Sequence, residues 1–111
     1  MKNARWSLSL ALLLAACATA PPGEDDQGKE MKRQATPVLA ALVKYRKDRG
    51  DYPKSLYELT PRYLTEIPFG PNLNYVYDKK VIEFSYSASW PQVETIACLA
   101  TLGDPEWKCR R

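Results

Sequence analysis

"TPVLAALVKYRKDRG", residues 36–50, has the residue pattern of an amphipathic helix. Thr36 suits the N-cap position, and Pro37 suits the first helical position, where its missing N–H costs nothing. Apolar residues recur at helical spacing and indicate one buried face, with Leu39, Leu42, Val43 and Arg46 along the stripe and Val38 and Tyr45 beside it. The sequence therefore predicts a helix that begins at Thr36 and ends near Gly50.

Four basic side chains lie in the last turns of this predicted helix, namely Lys44, Arg46, Lys47 and Arg49. Cations at this end of a helix complement its dipole. The cluster has two interpretations: a solvated helix end, which is the commoner case, or a contact with anionic lipid.

The second half of the chain has the composition and alternation of β-strands. The segment "VIEFSYS" (81–87) places Ile82, Phe84 and Tyr86 on one face and polar residues on the other. We predict strands over residues 74–78, 81–87, 93–101 and 106–110. The pattern therefore predicts an α+β fold, in which one N-terminal helix packs on a small antiparallel sheet of about four strands.

Two cysteines flank the turn predicted at Gly103-Asp104. Cys98 and Cys109 lie equally far from this turn, so a hairpin centred on it places them directly opposite each other. Opposed residues in a non-hydrogen-bonded pair can meet disulfide geometry. We predict a disulfide between them, which closes a short loop and stabilises the fold by roughly 3 kcal/mol.

The first residues have the three parts of a secretory signal. Lys2 and Arg5 give a charged start, a short apolar run follows, and small residues come next. "LAAC" (14–17) resembles the lipobox of bacterial lipoproteins, in which cleavage precedes the cysteine and the cysteine receives lipid. The resemblance implies that residues 1–16 form a signal peptide and that Cys17 becomes the lipidated, palmitate-bearing first residue. The alternative is a cysteine that merely lies near an ordinary cleavage site.

This resemblance also predicts where the protein lies and how its chain is divided. It implies a bacterial envelope lipoprotein that faces the periplasm, and Ala18 after the cysteine favours the outer membrane over the inner one. Residues 17–35 contain a Pro-Pro-Gly run and few large apolar residues, which is typical of a flexible tether; part of it, near 29–35, could be helical. Residues 36–111 then form the α+β domain.

A second resemblance covers residues 39–78, which are similar to the globular part of type II secretion major pseudopilins. The residues that carry it are Tyr45, Gly50, Tyr52-Pro53, Ser55-Leu56, Leu59, Pro61, Tyr63-Leu64, Ile67-Pro68 and Tyr75-Val76-Tyr77. It implies a pilin-like domain. The chain lacks that family's continuous N-terminal hydrophobic helix. Its calcium loop is not recognisable, because only Asp104 and Glu106 lie near the C-terminus and calcium takes 6–8 oxygens. Filament formation and calcium binding are therefore not implied.

The composition argues against catalysis and against nucleic-acid binding. The chain has no histidine, which removes the commonest general base and metal ligand. Glu83 and Glu94 could approach each other across neighbouring strands, although solvent-facing strand residues are the commoner case. Without the signal the net charge falls from +3 to about +1, which leaves no basic face for nucleic acid. We expect no catalytic residue, no cofactor and no metal.

Two tryptophans, Trp90 and Trp107, are the aromatic residues least easily assigned to the core. Exposed aromatic rings stack on sugars or anchor protein partners. The main hypothesis is a non-enzymatic, protein-binding or structural role in the envelope, linked to a secretion- or pilus-like system. The alternatives are a peptidoglycan-binding module that uses these two rings, or an inhibitor of a periplasmic hydrolase.

Overall fold

A single helix and one antiparallel sheet make up the regular structure of the computed structural model, which describes residues 20–88 and 93–111. The elements are α1 (Asp26–Arg49), β1 (Leu73–Val76), β2 (Val81–Ser87), β3 (Thr95–Thr101) and β4 (Lys108–Arg110). The strands follow one another in the sheet in chain order, and every neighbouring pair is antiparallel. The predicted α+β fold is confirmed. Within the described ranges, no helix combines the length and apolar character needed to cross a membrane.

Helix α1 begins at Asp26 and continues through Pro37, so the prediction of a helix start at Thr36 is wrong. Thr36 does not cap the helix, because its hydroxyl donates to the Lys32 carbonyl, at 2.7 Å, one turn earlier. A proline inside a helix costs about 3 kcal/mol, since it removes one hydrogen bond and crowds the preceding turn. Tertiary contacts made by the first turns of α1 offset this cost.

These contacts also correct the last part of the predicted tether, residues 26–35, and confirm the helix considered near 29–35. Ala35 is fully buried in the core. Asp25, just before the helix, accepts a hydrogen bond from the Tyr86 hydroxyl at 2.5 Å. Residues 26–35 are thus part of the folded domain, and the predicted boundary at residue 36 is too late. The composition of this segment did not reveal its contacts, because they are made with distant residues of the sheet.

The core lies between one face of α1 and one face of the sheet. Its main residues are Ala35, Val38, Leu39, Leu42 and Tyr45 from α1, Ile82, Phe84 and Tyr86 from β2, and Ile96, Cys98 and Ala100 from β3. The predicted alternation of β2 is confirmed. Val43 was predicted to be buried, but it is 46% exposed. The true stripe passes through Ala35, Val38, Leu42 and Tyr45, and Val43 lies to one side of it.

A short turn and a disulfide join the last two strands. Cys98 lies directly opposite Cys109, and the two form the predicted disulfide. Strand β4 begins later than the predicted residue 106, because the Glu106 N–H donates to Asp104 Oδ1 at 3.1 Å within the turn. Gly23 packs on the other side of this disulfide, where an added Cβ atom would lie 2.4 Å from Cys109 Sγ.

The connection between α1 and β1 contains two short 3-10 helices, Leu56–Leu59 and Gly70–Asn72. The first has a reciprocal capping box, in which the Ser55 side chain accepts from the backbone and the Glu58 carboxylate accepts from the Ser55 N–H. Leu56 and Leu59 are both buried, and this short helix contacts α1. The connection therefore continues the core beyond the end of α1.

Candidate functional site

One concave feature of the described residues is a groove between α1 and the turn that joins β3 to β4. Its volume is about 570 Å³, within the range of typical ligand pockets. Leu39, Ala40 and Val43 of α1 form one apolar wall, and Gly103 and Pro105 of the turn face them. The helix periodicity explains this arrangement, because Ala40 and Val43 follow Leu39 on the side of α1 that leads away from the core.

The turn that forms the second wall is held by hydrogen bonds. The Asp104 N–H donates to the Thr101 carbonyl at 3.0 Å, and Asp104 Oδ1 accepts from the backbone of Glu106. The Leu102 N–H donates to the Lys80 carbonyl at 2.8 Å, which ties the turn to the neighbouring β1–β2 turn. The wall is thus positioned by the backbone of the sheet.

Trp107, one of the two candidate contact residues, is partly buried and contacts both β2 and α1. Its ring meets the Phe84 ring edge to face, with centroids 4.9 Å apart, and its Nε1–H donates to Thr36 Oγ1 at 3.3 Å. The side chain therefore supports the contact between the helix and the sheet next to the groove. Trp90 lies outside the described residues, as does Cys17.

Two lysines and two aspartates lie at the groove, and they differ in their hydrogen bonds and salt bridges. Asp48 accepts a hydrogen bond from the Tyr63 hydroxyl at 3.0 Å, and Asp104 is engaged within its own turn. Lys44 and Lys47 also line the groove, but the salt bridges among the described residues are formed by other cations. The groove edge thus carries two lysine and two aspartate side chains, whose formal charges balance.

Tyrosine hydroxyls hold the carboxylates near the end of α1. Tyr45 donates to Glu58 at 3.0 Å, and Tyr77 donates to Asp51. The Ser55 N–H and then the Tyr45 hydroxyl lower the pKa of Glu58 below its usual value. The Tyr77 hydroxyl, followed by a backbone N–H and nearby lysines, likewise lowers the pKa of Asp51. Both carboxylates are therefore held ionised within the domain.

The rings of Tyr45, Tyr52 and Tyr77 face cations. Arg49 lies over the Tyr45 ring and Arg46 lies over the Tyr52 ring, each 5.2 Å from the centroid. Lys54 and Lys80 approach the Tyr77 ring at 4.1 and 3.6 Å. Cation–π contacts of this kind position a cation without neutralising it. The end of α1 therefore carries arginines and ionised carboxylates close together.

The described residues contain no cluster of metal-ligating side chains. No set of three or more metal-ligating side chains within these residues could hold an ion. The register places Leu99 opposite Glu83, so the hypothesis of a Glu83–Glu94 pair is wrong. Glu83 instead lies 3.7 Å from Arg110, and Glu94 lies 2.5 Å from Arg111.

Comparison of the chain with protein-family models, curated proteins and solved structures found no match. The resemblances to the lipobox and to the pseudopilin domain therefore stand on the quoted residues alone. Sequence reasoning did not find the groove. The sequence shows that Val43 is apolar, but whether this side chain is buried or exposed depends on how α1 is rotated against the sheet.

Proposed function

We propose that this chain is a lipid-anchored bacterial envelope protein that binds another protein through the groove between α1 and the β3–β4 turn. The observation that carries the binding role is the half-exposed Val43 above the apolar wall of a concave groove. A contiguous exposed apolar surface is typical of interaction sites, and the exposed residues Ala40 and Pro105 of the same groove extend the surface of Val43. The groove lining contains no histidine, cysteine or serine, and the Thr36 hydroxyl in it is already bonded to the Lys32 carbonyl and the Trp107 indole N–H, which supports a non-enzymatic role.

The anchor and the setting come from the sequence. The lipobox-like residues 14–17 support lipid attachment at Cys17 and an outer-membrane, periplasm-facing location. The N-terminal helix on an antiparallel sheet agrees with the pilin-like domain that the pseudopilin resemblance implies. It supports a partner within a secretion- or pilus-like system, although a fold alone does not define a function.

The glycan-binding alternative receives less support from Trp107. Its ring packs on Phe84 and its N–H is bonded to Thr36, so part of the surface needed for sugar stacking is already used. No feature of the described residues favours the hydrolase inhibitor. The protein-binding hypothesis is therefore the one that we develop.

Site-specific photo-cross-linking in intact cells tests this proposal. A benzophenone amino acid at Val43 is compared with the same amino acid at Val93, a valine that is 75% exposed and does not line the groove. We expect a discrete protein adduct from position 43 only. Equal adducts from both positions, or no protein adduct from position 43, would contradict the proposal. Pelleting with purified peptidoglycan that depends on Trp90 and Trp107 would favour the glycan-binding module instead.

A further inference from the structure

We propose that the end of the domain that carries Ala20, Val93 and Arg111 lies against the phospholipid surface, with the Val93 side chain in the interface. Since this contact depends on an acylated Cys17, it rests on the lipid anchor of the proposed function. The domain would then be held in one orientation on the membrane, and would not move freely at the end of a long tether.

The chain just before α1 is attached to the last strand. The Ala20 carbonyl accepts a hydrogen bond from Arg111 Nη2 at 3.5 Å. Gly23 packs closely on Cys109, since an added Cβ atom would lie 2.4 Å from its Sγ. The domain therefore holds this segment from Ala20 onward.

The link between this segment and the lipid is short. Two residues, Ala18 and Thr19, separate Cys17 from Ala20. Three residue steps span at most about 11 Å, whatever their conformation. The headgroup layer extends roughly 5 to 7 Å beyond the hydrocarbon core on each side of a bilayer. Acyl chains on Cys17 would lie in that core, so Ala20 and its neighbours would be held within the headgroup layer or just above it.

The neighbours of Ala20 include an exposed apolar side chain. Arg111 Nε donates to the Glu94 carboxylate at 2.5 Å, and the Glu94 carbonyl accepts the Ala88 N–H at 2.7 Å where β2 leads into β3. Val93 precedes Glu94 in the chain and is 75% exposed. Placing it in the interface would remove apolar surface from water. Val93 is thus the side chain that we expect to enter the membrane surface.

The charges at this end do not select anionic lipid. Arg111 is paired with Glu94, and Arg110 lies 3.7 Å from Glu83. The contact is therefore apolar and does not depend on headgroup charge. The short link supplies its strength, because a surface tethered close to its target has a high effective concentration and needs little affinity of its own.

The sheet places the groove far from this contact. Strand β3 (Thr95–Thr101) begins beside Val93 and leads to the groove turn at Gly103, and its seven residues span about 20 Å. Helix α1 also begins at the Val93 end, where Asp25 accepts from Tyr86 near the end of β2. A membrane contact at Val93 therefore leaves the groove open to a protein partner.

The test uses the full-length protein in intact cells, with a benzophenone amino acid at Val93 or at Tyr57. Both positions are 75% exposed, but Tyr57 lies beside Glu58, which is bonded to Tyr45 in the second half of α1. We expect a phospholipid adduct, identified by its mass, from position 93 and at least about tenfold less from position 57. Phosphatidylethanolamine and phosphatidylglycerol should be captured in proportion to their abundance, because the arginines are paired.

A longer link is the matched variant. An insert of about 12 Gly and Ser residues between Ala18 and Thr19 adds a reach of roughly 20 Å and lowers the effective concentration of Val93 at the membrane about tenfold. The lipid adduct from position 93 should fall by about this factor. Palmitate labelling of Cys17 should not change.

The outcomes separate this contact from the anchor and from the groove. Palmitate at Cys17 with no phospholipid adduct at position 93, or with equal adducts at positions 57 and 93, would overturn the contact and leave the anchor standing. A protein adduct in place of the lipid, a strong preference for phosphatidylglycerol, or a yield that the insert does not change would do the same. Absence of palmitate would overturn anchor and contact together, whereas the groove is judged by position 43. Formation of the Cys98–Cys109 disulfide in each variant shows that it has folded.

Discussion

At the scale of single residues, Gly23 shows how closely the start of the domain is packed. Its φ angle is +82°, and an added Cβ atom would lie 2.4 Å from Cys109 Sγ and 2.8 Å from Cys109 Cβ. Side chains rarely adopt this backbone conformation, and the neighbouring atoms belong to a cross-linked strand that cannot easily move. The residue is therefore a sensitive probe of whether the segment before α1 is folded onto the sheet.

We predict that Gly23→Ala lowers the free energy of unfolding by about 2 kcal/mol or more, from backbone strain together with steric overlap. Gly50→Ala is the matched control, because Gly50 has φ +89° but no atom within 4 Å of an added Cβ. It should cost only about 1 kcal/mol. Urea-induced unfolding measures both. Equal effects would show that Gly23 does not pack against the disulfide.

Tyr86 gives a prediction about pH. Burial, and then the hydrogen bond to Asp25, raises the pKa of Tyr86 from 10.0 to about 12. Because this phenol ionises more readily in the unfolded chain than in the folded one, its neutral form favours folding. This contribution to the free energy of unfolding is fully present below pH 10 and is lost as the pH rises from 10 to about 12. Stability should therefore decline over this interval.

We predict that Tyr86→Phe lowers the free energy of unfolding at neutral pH by about 1 kcal/mol, through the lost hydrogen bond, and makes its alkaline decline shallower. Tyr57→Phe is the control, since Tyr57 is 75% exposed. Its neutral-pH stability and its alkaline decline should match those of the unmodified protein. Unfolding curves across the alkaline range measure both effects. An unchanged decline in Tyr86→Phe would be evidence against the raised pKa.

At the scale of elements, α1 depends on contacts with the sheet. Its first turns are joined to β2 through Asp25 and Tyr86 and to the core through Ala35, and these contacts carry the helix across Pro37. The Thr36 hydroxyl links the inside of the helix to the sheet, because it donates to the Lys32 carbonyl of α1 and accepts from the Trp107 N–H. The helix is thus stabilised by packing in spite of an unfavourable residue in its interior.

We predict that Pro37→Ala raises the free energy of unfolding by about 1 to 3 kcal/mol, because it restores an N–H inside α1 and removes a clash with the preceding turn. Gln34→Ala, at an exposed position of the same helix, should change it by less than about 0.5 kcal/mol. Thermal unfolding followed by circular dichroism measures both. A loss of stability in Pro37→Ala would show that α1 needs a bend at this position in order to pack.

At the scale of the whole molecule, the proposed lipid anchor and the proposed binding groove lie toward different ends of α1. The lipobox-like cysteine precedes α1, whereas the groove and the basic residues lie along its second half. Such an arrangement would hold the groove away from the membrane and leave it open to a partner in the periplasm. This arrangement requires that a lipid is attached to Cys17.

We predict that the protein incorporates labelled palmitate and sediments with membranes, and that Cys17→Ala abolishes both. The double variant Cys98→Ala with Cys109→Ala should keep the lipid, because those sulfurs form the disulfide. Metabolic labelling followed by membrane fractionation measures this. Palmitate retained in Cys17→Ala, or a mature N-terminus other than Cys17, would point to an ordinary cleavage site.

The sequence by itself determined the α+β class, the buried face of β2 and the pairing of Cys98 with Cys109. Each of these depends on local periodicity or on distance from a turn, which are properties of neighbouring residues. Only the tertiary structure decided where α1 begins and that Val43 faces a groove. The contacts responsible join residues far apart in the chain, such as Asp25 with Tyr86 and Thr36 with Trp107, and no local pattern encodes them.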